Sequence, residues 1–177
     1  AASFEAFKES YLRRLASAVE TGVSEQNRLR VEREQHGRKP LQSVFTRDCI
    51  NRGRDIDCGG AVYNWVECSF VGLANLADSL YVIQEEVYDD KKMTLRDLYK
   101  VLTADFAQEE AVRQRLLKAH PKYGQGHAGV DALLQELVEA ATDICGQFKM
   151  HPDDSPYIPG AFVWVMHERL GRETGAT

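Results

Sequence analysis

Histidine and cysteine are the side chains of this sequence best suited to bind a metal or to act as a nucleophile. The five histidines form no HxxxH or HExxH pair, and the four cysteines form no CxxC pair. These spacings predict neither a zinc site nor a disulfide framework. His120 and His127 flank a glycine-rich loop, where we expect solvated side chains rather than metal ligands. The sequence thus predicts no residue that binds a metal or a cofactor directly.

Other catalytic motifs are also missing. Gly124-Gln125-Gly126 does not have the spacing of a dinucleotide-binding loop and follows no predicted strand, and the sequence contains no GxSxG motif and no P-loop. Cys68 lies between a predicted strand and a predicted helix, where a helix N-terminus can lower the pKa of a thiol. A small, buried structural cysteine is the alternative that we favour.

The stretch from Cys58 to Tyr81 predicts a strand, a tight connection and a core helix. A short run rich in valine, tyrosine and tryptophan follows Gly59 and Gly60 and indicates a buried strand. After Ser69 the apolar period changes to that of a helix. The apolar face of this helix is predicted to consist of Leu73, Leu76, Leu80, Ile83 and Val87.

Amphipathic helices are predicted on both sides of this stretch. Ser3 is a candidate N-cap for the first helix, and Thr94 with Asp97 forms a capping pattern for another. A proline-rich loop is predicted over 153–160, followed by a second strand over 161–167 that is buried on both faces. The helices are predicted over about 4–35, 41–51, 94–104, 108–118 and 130–148.

The composition is that of a globular domain. The chain has 177 residues, of which 44% are hydrophobic and 28% are charged, and this is enough for one domain with a proper core. A net charge of -5 without a basic tract argues against binding to nucleic acid or to an anionic membrane, and no apolar run approaches membrane-spanning length. Because the cysteines show no disulfide pattern, we expect a reducing, cytoplasmic setting.

Five ordered blocks of residues carry a resemblance to a known family. The sequence is similar to the pyruvate formate-lyase-like glycyl radical enzymes from its first helix to its last residue. The resemblance implies an α/β, helix-rich fold that is a segment of the ten-stranded glycyl-radical-enzyme barrel and is mostly α within this piece. The blocks are DCINRGRDI at 48–56, GGAVYN at 59–64, GLANLADSL at 72–80, PKYG at 121–124 and GRETGAT at 171–177.

The resemblance also implies a mechanism and partners. An activating iron–sulfur enzyme that uses S-adenosylmethionine removes a hydrogen atom from a backbone glycine of such an enzyme. The glycyl radical passes to a cysteine, whose thiyl radical takes hydrogen from a small organic substrate. Dehydration, carbon–carbon cleavage or decarboxylation then follows. We therefore expect an anaerobic, cytoplasmic radical lyase whose full-length form is a homodimer.

Two motifs of the family have no counterpart in the sequence. No cysteine has glutamate two residues later, and the Arg-Val-x-Gly-Tyr pattern around the radical glycine is absent. The resemblance places the first motif upstream of Ala1 and the second downstream of Thr177. We therefore expect residues 1–177 to be an internal part of the barrel domain, inactive alone and without catalytic residues of their own.

The segment can still contribute walls to the substrate cavity. Because side chains alternate along a strand, only every second one faces the cavity. Core packing is the alternative role for the residues named below. The family more often has Phe-Thr-Gly-Pro-Gln-Gly at 65–70, so the resemblance does not decide whether Glu67 lines the cavity. The predicted wall residues are Trp65 and Ser69 on the first strand, and Phe162, Trp164 and Met166 on the second.

A second reading of the same resemblance is a protein without catalysis. In that case the chain belongs to a helical scaffold or a binding domain that kept the fold and lost the chemistry. A Cys-x-Glu loop and a glycine motif in the flanking sequence would favour the enzyme.

Overall fold

The structure is a computed structural model, and it describes residues 1–162. The described chain divides into two compact units. The first unit contains residues 1–10, 70–139 and 161–162, and the second contains residues 11–69 and 140–160. Helices predominate in the described part of the chain, and three strands form a small sheet.

The helices follow the predicted order along the chain. They are α1 (Phe4–His36), α2 (Pro40–Phe45), α3 (Cys49–Arg52), α4 (Leu73–Ile83), α5 (Leu95–Thr103), α6 (Glu110–Lys118) and α7 (Ala128–Gly146). A 3-10 turn covers Ile56–Cys58, and a π-helical segment over Gln84–Asp89 continues from α4. The strands are β1 (Val66–Val71), β2 (Lys149–Met150) and β3 (Ser155–Phe162).

Side-chain caps begin two of these helices where the sequence predicted them. The Ala6 N–H donates to Ser3 Oγ over 3.2 Å at the start of α1, and the Asp97 N–H donates to Thr94 Oγ1 over 3.1 Å at the start of α5. Each cap satisfies an N–H group that the helix itself leaves without a partner. The predicted starts of both helices are confirmed.

The single helix predicted over 41–51 is wrong, because the backbone breaks it in two. Asp48 has a φ of 72°, in the left-handed region, and Thr46 is extended. A short polar side chain tolerates this conformation, and a continuing α-helix does not contain it. The result is two short helices, α2 and α3, joined by a turn.

The first strand differs from the prediction at both ends and on its faces. β1 begins after Trp65 and continues past Ser69 to Val71, so the aromatic run before Val66 lies outside the strand. Half-buried and exposed residues alternate along β1, so the strand is not buried on both faces.

The loop predicted over 153–160 is wrong, because β3 begins at Ser155 and forms the centre of a sheet with the order β1-β3-β2. β2 is antiparallel to β3 and was not predicted; Met150 pairs with Ser155 and Lys149 pairs with Pro156. β2 supplies only these two residues, so its pairing with β3 ends at Pro156. Pro159 lies beyond this pairing, where a proline removes no hydrogen bond to β2.

The second predicted strand, over 161–167, falls only partly within the described residues. Ala161 and Phe162 are in β3 and are exposed, so the expected burial on both faces is wrong for these two positions. Residues 163–167, including Trp164 and Met166, lie outside the described part of the chain.

Each unit has its own apolar core. α4 forms the predicted core helix of the first unit, although Leu80 is the fully buried member of the predicted face and the other four residues are half-buried. Other buried residues of the first unit include Phe4, Ala77, Val82, Leu98, Val130, Leu133 and Leu137. Those of the second unit include Val19, Val23, Cys49, Ala61, Ala141, Cys145, Met150 and Tyr157.

Within residues 1–162, no helix combines the length and the apolar character that a membrane crossing requires.

Candidate functional site

The two faces of β1 have different surroundings. Val66, Cys68 and Phe70 are half-buried, whereas Glu67 and Ser69 on the opposite face are exposed. Successive side chains of a strand point to opposite sides of the sheet, so this alternation separates a covered face from an open one.

Helix α7 covers the first of these faces within the second unit. Cys145 of α7 is fully buried and in hydrogen-bonding contact with Cys68, which also contacts the buried hydroxyl of Tyr157 from β3. Burial, together with Cys68, raises the pKa of the Cys145 thiol to about 11, and burial and the bond to Cys68 also raise the pKa of Tyr157. A thiol of this kind stays protonated and packs as a small apolar side chain.

Cys68 therefore follows the structural interpretation that the sequence favoured. It lies inside β1, and α4 begins only at Leu73, so the thiol is not at the first turn of that helix. Its neighbours are another thiol and a phenol, and neither supplies the positive charge that activates a cysteine.

Glu67, Ser69 and Gly160 come together on the open face of the sheet, within the second unit. Ser69 Oγ donates to Glu67 Oε1 over 3.3 Å. The Glu67 side chain crosses β3 at Gly160, where an added Cβ would lie 2.8 Å from Glu67 Cγ and closer still to the carboxylate. A side chain at position 160 would therefore displace the carboxylate from its present place.

The predicted wall residues have different outcomes. Ser69 lies on the open face beside Glu67, the residue that the sequence left open. Trp65 precedes β1, is 54% exposed, and packs its ring 5.7 Å from that of Tyr63. Phe162 is two residues beyond Gly160, so strand alternation gives it the same side of β3. Trp164 and Met166 lie outside the described residues, and their roles stay predictions.

Phe162 also borders a cavity in the first unit, with a volume of about 330 Å³, at the end of β1 and the start of α4. Tyr123 lies on its rim, and Gly72 makes the turn into α4 with a φ of 82°. Asp78 fixes Tyr123 by accepting a hydrogen bond of 2.7 Å from its N–H. These contacts place the PKYG and GLANLADSL blocks of the sequence beside each other.

Sequence reasoning missed the role of Gly160, because this residue fell in the predicted loop. A glycine directly after a proline indicates a turn, and no local pattern indicates that it faces a carboxylate from a strand about 90 residues earlier. The sequence alone could have indicated that Glu67 shares a strand face with Ser69, because the two residues are two positions apart.

A second polar cluster lies in the first unit, and there the expectation for His120 is wrong. The sequence predicted a solvated side chain, but the His120 side chain is 6% exposed and its Nε2 lies 2.9 Å from Glu86 Oε1. Glu86, on the π-helical segment, is 1% exposed and also faces Arg115 Nη2 at 3.0 Å and Lys92 Nζ at 3.5 Å.

The charges around Glu86 keep it ionised. Burial favours the neutral acid, but the hydrogen bond to His120 and the charges of Arg115 and Lys92 outweigh burial and lower the pKa of Glu86. Within residues 1–162, no three histidine, cysteine, aspartate or glutamate side chains are grouped in a way that could hold a metal ion. We therefore regard this cluster as structural.

Comparison with solved structures gives the class of fold to which these strands and helices belong. The chain superposes on the glycerol-bound form of the B12-independent glycerol dehydratase from Clostridium butyricum with a TM-score of 0.83 and 29% identity. The match covers 90% of this chain and 20% of that chain. The described elements are a segment of the glycyl radical enzyme barrel, as the sequence predicted.

The family follows from the sequence. The family described as Pyruvate formate lyase-like matches residues 1–171, so this chain belongs to the pyruvate formate lyase-like family. It is 38% identical over 101 residues to trans-4-hydroxy-L-proline dehydratase of Clostridioides difficile, covering 57% of this chain and 13% of that protein. It is 26% identical over 182 residues to isethionate sulfite-lyase of Bilophila wadsworthia, covering 99% of this chain and 21% of that protein.

Proposed function

We propose that the full-length protein containing this chain is a glycyl radical lyase that acts on a small organic substrate. In this proposal residues 1–177 are an internal part of its barrel domain and supply scaffold and cavity walls. Two dehydratases and a sulfite-lyase among the similar proteins support lyase chemistry, and the chain spans 13–21% of the lengths of these three proteins. The observation that carries the proposal is the match to the family over residues 1–171.

Exposed apolar side chains in the second unit support a larger protein. Four large apolar side chains within about 25 residues of each other along the chain are 67–83% exposed. They are Leu41, Phe45, Ile50 and Tyr63. Large apolar side chains are exposed in this number mainly on surfaces that another part of a protein covers. A barrel completed by further chain would give these side chains a place to pack.

The residues of this chain would enclose the substrate and keep water from it. A glycyl radical, installed by an S-adenosylmethionine-dependent activating enzyme, would supply the chemistry from outside the segment. Ser69 is polar and lies on the open face of the sheet, and Phe162 and Trp65 are large and apolar. With the two predicted residues Trp164 and Met166 they would form one wall of the cavity. In this proposal the full-length protein is a homodimer in the cytoplasm of an anaerobic cell.

Phe162→Ala in the full-length protein tests the wall assignment. Activation should give a normal glycyl radical spin count, because Phe162 does not take part in radical formation. Turnover should fall by up to about a hundredfold, since a loss of about 1 Å in positioning has an effect of that size. Electron paramagnetic resonance and steady-state kinetics on the same anaerobic sample provide both readings.

Tyr99→Ala is the matched control, because Tyr99 is an aromatic residue on α5 with 68% exposure. It should leave both readings unchanged. Normal turnover of a folded Phe162→Ala protein would contradict the wall assignment. A wild-type protein that forms no glycyl radical and no product would overturn the proposed function and favour the inactive scaffold.

A further inference from the structure

Only one face of the sheet is available to line a cavity. In α/β barrels the helices form the outer layer, and the opposite face of the strands lines the interior. Cys68 and Tyr157 face Cys145 of α7, so theirs is the outer face. Glu67 and Ser69 therefore lie on the face that looks into the barrel.

Glu67 is the one acidic side chain on the part of this inner face that lies within the described residues of the second unit. The alternation of β1 and β3, with the pairing of Lys149 and Pro156, places six residues there. Lys149 is the one cation among them and lies on β2, on the other side of β3 from β1. The six are Glu67, Ser69, Lys149, Pro156, Ile158 and Gly160.

The surroundings of Glu67 leave most of its hydrogen-bonding capacity unused. An ionised carboxylate offers about four acceptor sites, and Ser69 Oγ occupies one of them. In the described part of the chain, Glu67 forms no ion pair with a lysine, arginine or histidine. Gly160 makes room for the side chain without donating to it.

We infer that Glu67 selects the class of substrate: a small alcohol that presents a further hydroxyl or an ammonium group to this carboxylate, and no anionic group there. The inference rests on the proposed function, because it requires the open face to line the substrate cavity. A carboxylate on the wall of a closed substrate cavity needs donors, and a substrate hydroxyl or ammonium group can supply them. A substrate carboxylate or sulfonate at the same place would be repelled.

Three alcohols with one carbon skeleton test this selection. 1,2-Propanediol, 1-amino-2-propanol and lactate differ only at the first carbon, which carries a hydroxyl, carries an ammonium group, or is itself the carboxylate carbon. Calorimetry on the full-length protein without activation measures their binding, so the result does not depend on the radical. The wild-type protein should bind the diol and the amino alcohol, and it should bind lactate at least tenfold more weakly.

Glu67→Gln keeps the shape of the side chain and removes its charge. It should weaken binding of 1-amino-2-propanol by about ten- to a hundredfold, because hydrogen bonds to charged groups are the stronger ones. The diol should lose less, and the discrimination against lactate should shrink. Glu20→Gln, on an exposed part of α1, is the matched control and should change none of these values.

Gly160→Ala provides a second test of the same geometry. The new methyl group would displace the Glu67 carboxylate, so this variant should weaken binding as Glu67→Gln does. The double variant should then lose little more than either single variant, because both changes remove one interaction.

Several results would overturn the inference. These are lactate binding as tightly as the diol, no binding of either donor compound, or Glu67→Gln binding all three compounds like the wild-type protein. Failure of the proposed function has a different mark, since it appears as a missing glycyl radical and missing product in the activated protein.

Discussion

Glu86 in the first unit and Glu67 in the second are carboxylates with opposite surroundings. Glu86 is 1% exposed, and His120, Arg115 and Lys92 surround it within 3.5 Å. Glu67 is exposed on a strand, and its described hydrogen-bond partner is the hydroxyl of Ser69. The fold surrounds the first carboxylate with positively charged partners, whereas the second keeps acceptor sites for another molecule.

This contrast distinguishes a structural carboxylate, which the protein pairs with cations, from a binding carboxylate, which the protein leaves without them. A buried charge is tolerated only where the protein pairs it, so Glu86 should matter for folding. An exposed carboxylate contributes little to folding, so the place of Glu67 on the inner face of the sheet calls for a functional explanation. Each of the following experiments can strengthen or break this distinction.

Removing the buried carboxylate should have the largest effect. Glu86→Ala leaves His120 and Arg115 without their anion and should lower the free energy of unfolding by about 3 kcal/mol, at the low end for a buried pair because Lys92 and Arg115 are partly solvated. Urea unfolding of the full-length protein measures this. Glu136→Ala, which removes an exposed partner of Lys8, is the control and should change it by less than 1 kcal/mol.

The stability of the protein toward acid should depend on Glu86. Its pKa is lowered in the folded state from an ordinary value of 4.5, so below that pH the unfolded chain binds a proton that the folded chain does not. The stabilisation is present above pH 4.5 and is lost as the pH falls through the folded pKa. Unfolding measured from pH 6 to 3 should therefore show a steeper fall for the wild type than for Glu86→Gln. Parallel curves would show that Glu86 does not titrate with folding.

The smallest effect on stability should come from the exposed carboxylate. Glu67→Gln and Ser69→Ala should each change the free energy of unfolding by no more than about 0.5 kcal/mol, since both side chains are exposed and their bond is a single one of 3.3 Å. The melting temperature is the measurement. A loss as large as that of Glu86→Ala would mean that Glu67 is structural, and the contrast between the two carboxylates would fail.

Several parts of the fold could be predicted because they depend on neighbours in the sequence. Ser3 and Thr94 cap helices through N–H groups three residues away, and the apolar period after Ser69 identifies α4. The chemistry of Cys68 was also foreseen, since a cysteine without a nearby positive charge is usually structural. The ordered blocks over 48–177 indicate the family from the sequence alone.

Other features could not be predicted because they depend on distant partners. The proline-rich stretch from Ser155 becomes a strand through its pairing with β1 and β2. His120 becomes buried because Glu86, 34 residues earlier, lies next to it. Local patterns carry no information about such contacts, so the sequence predicted a loop and a solvated histidine.

The order and spacing of residues along the chain were enough to predict most of the helices, the caps of α1 and α5, and the family. The open side of the sheet could be read from the three-dimensional structure alone, since it depends on the packing of α7 against Cys68 and Tyr157. The same holds for the room that Gly160 makes for Glu67, about 90 residues earlier in the chain. The physical reason is that steric fit and charge pairing act between atoms close in space, whatever their separation in sequence.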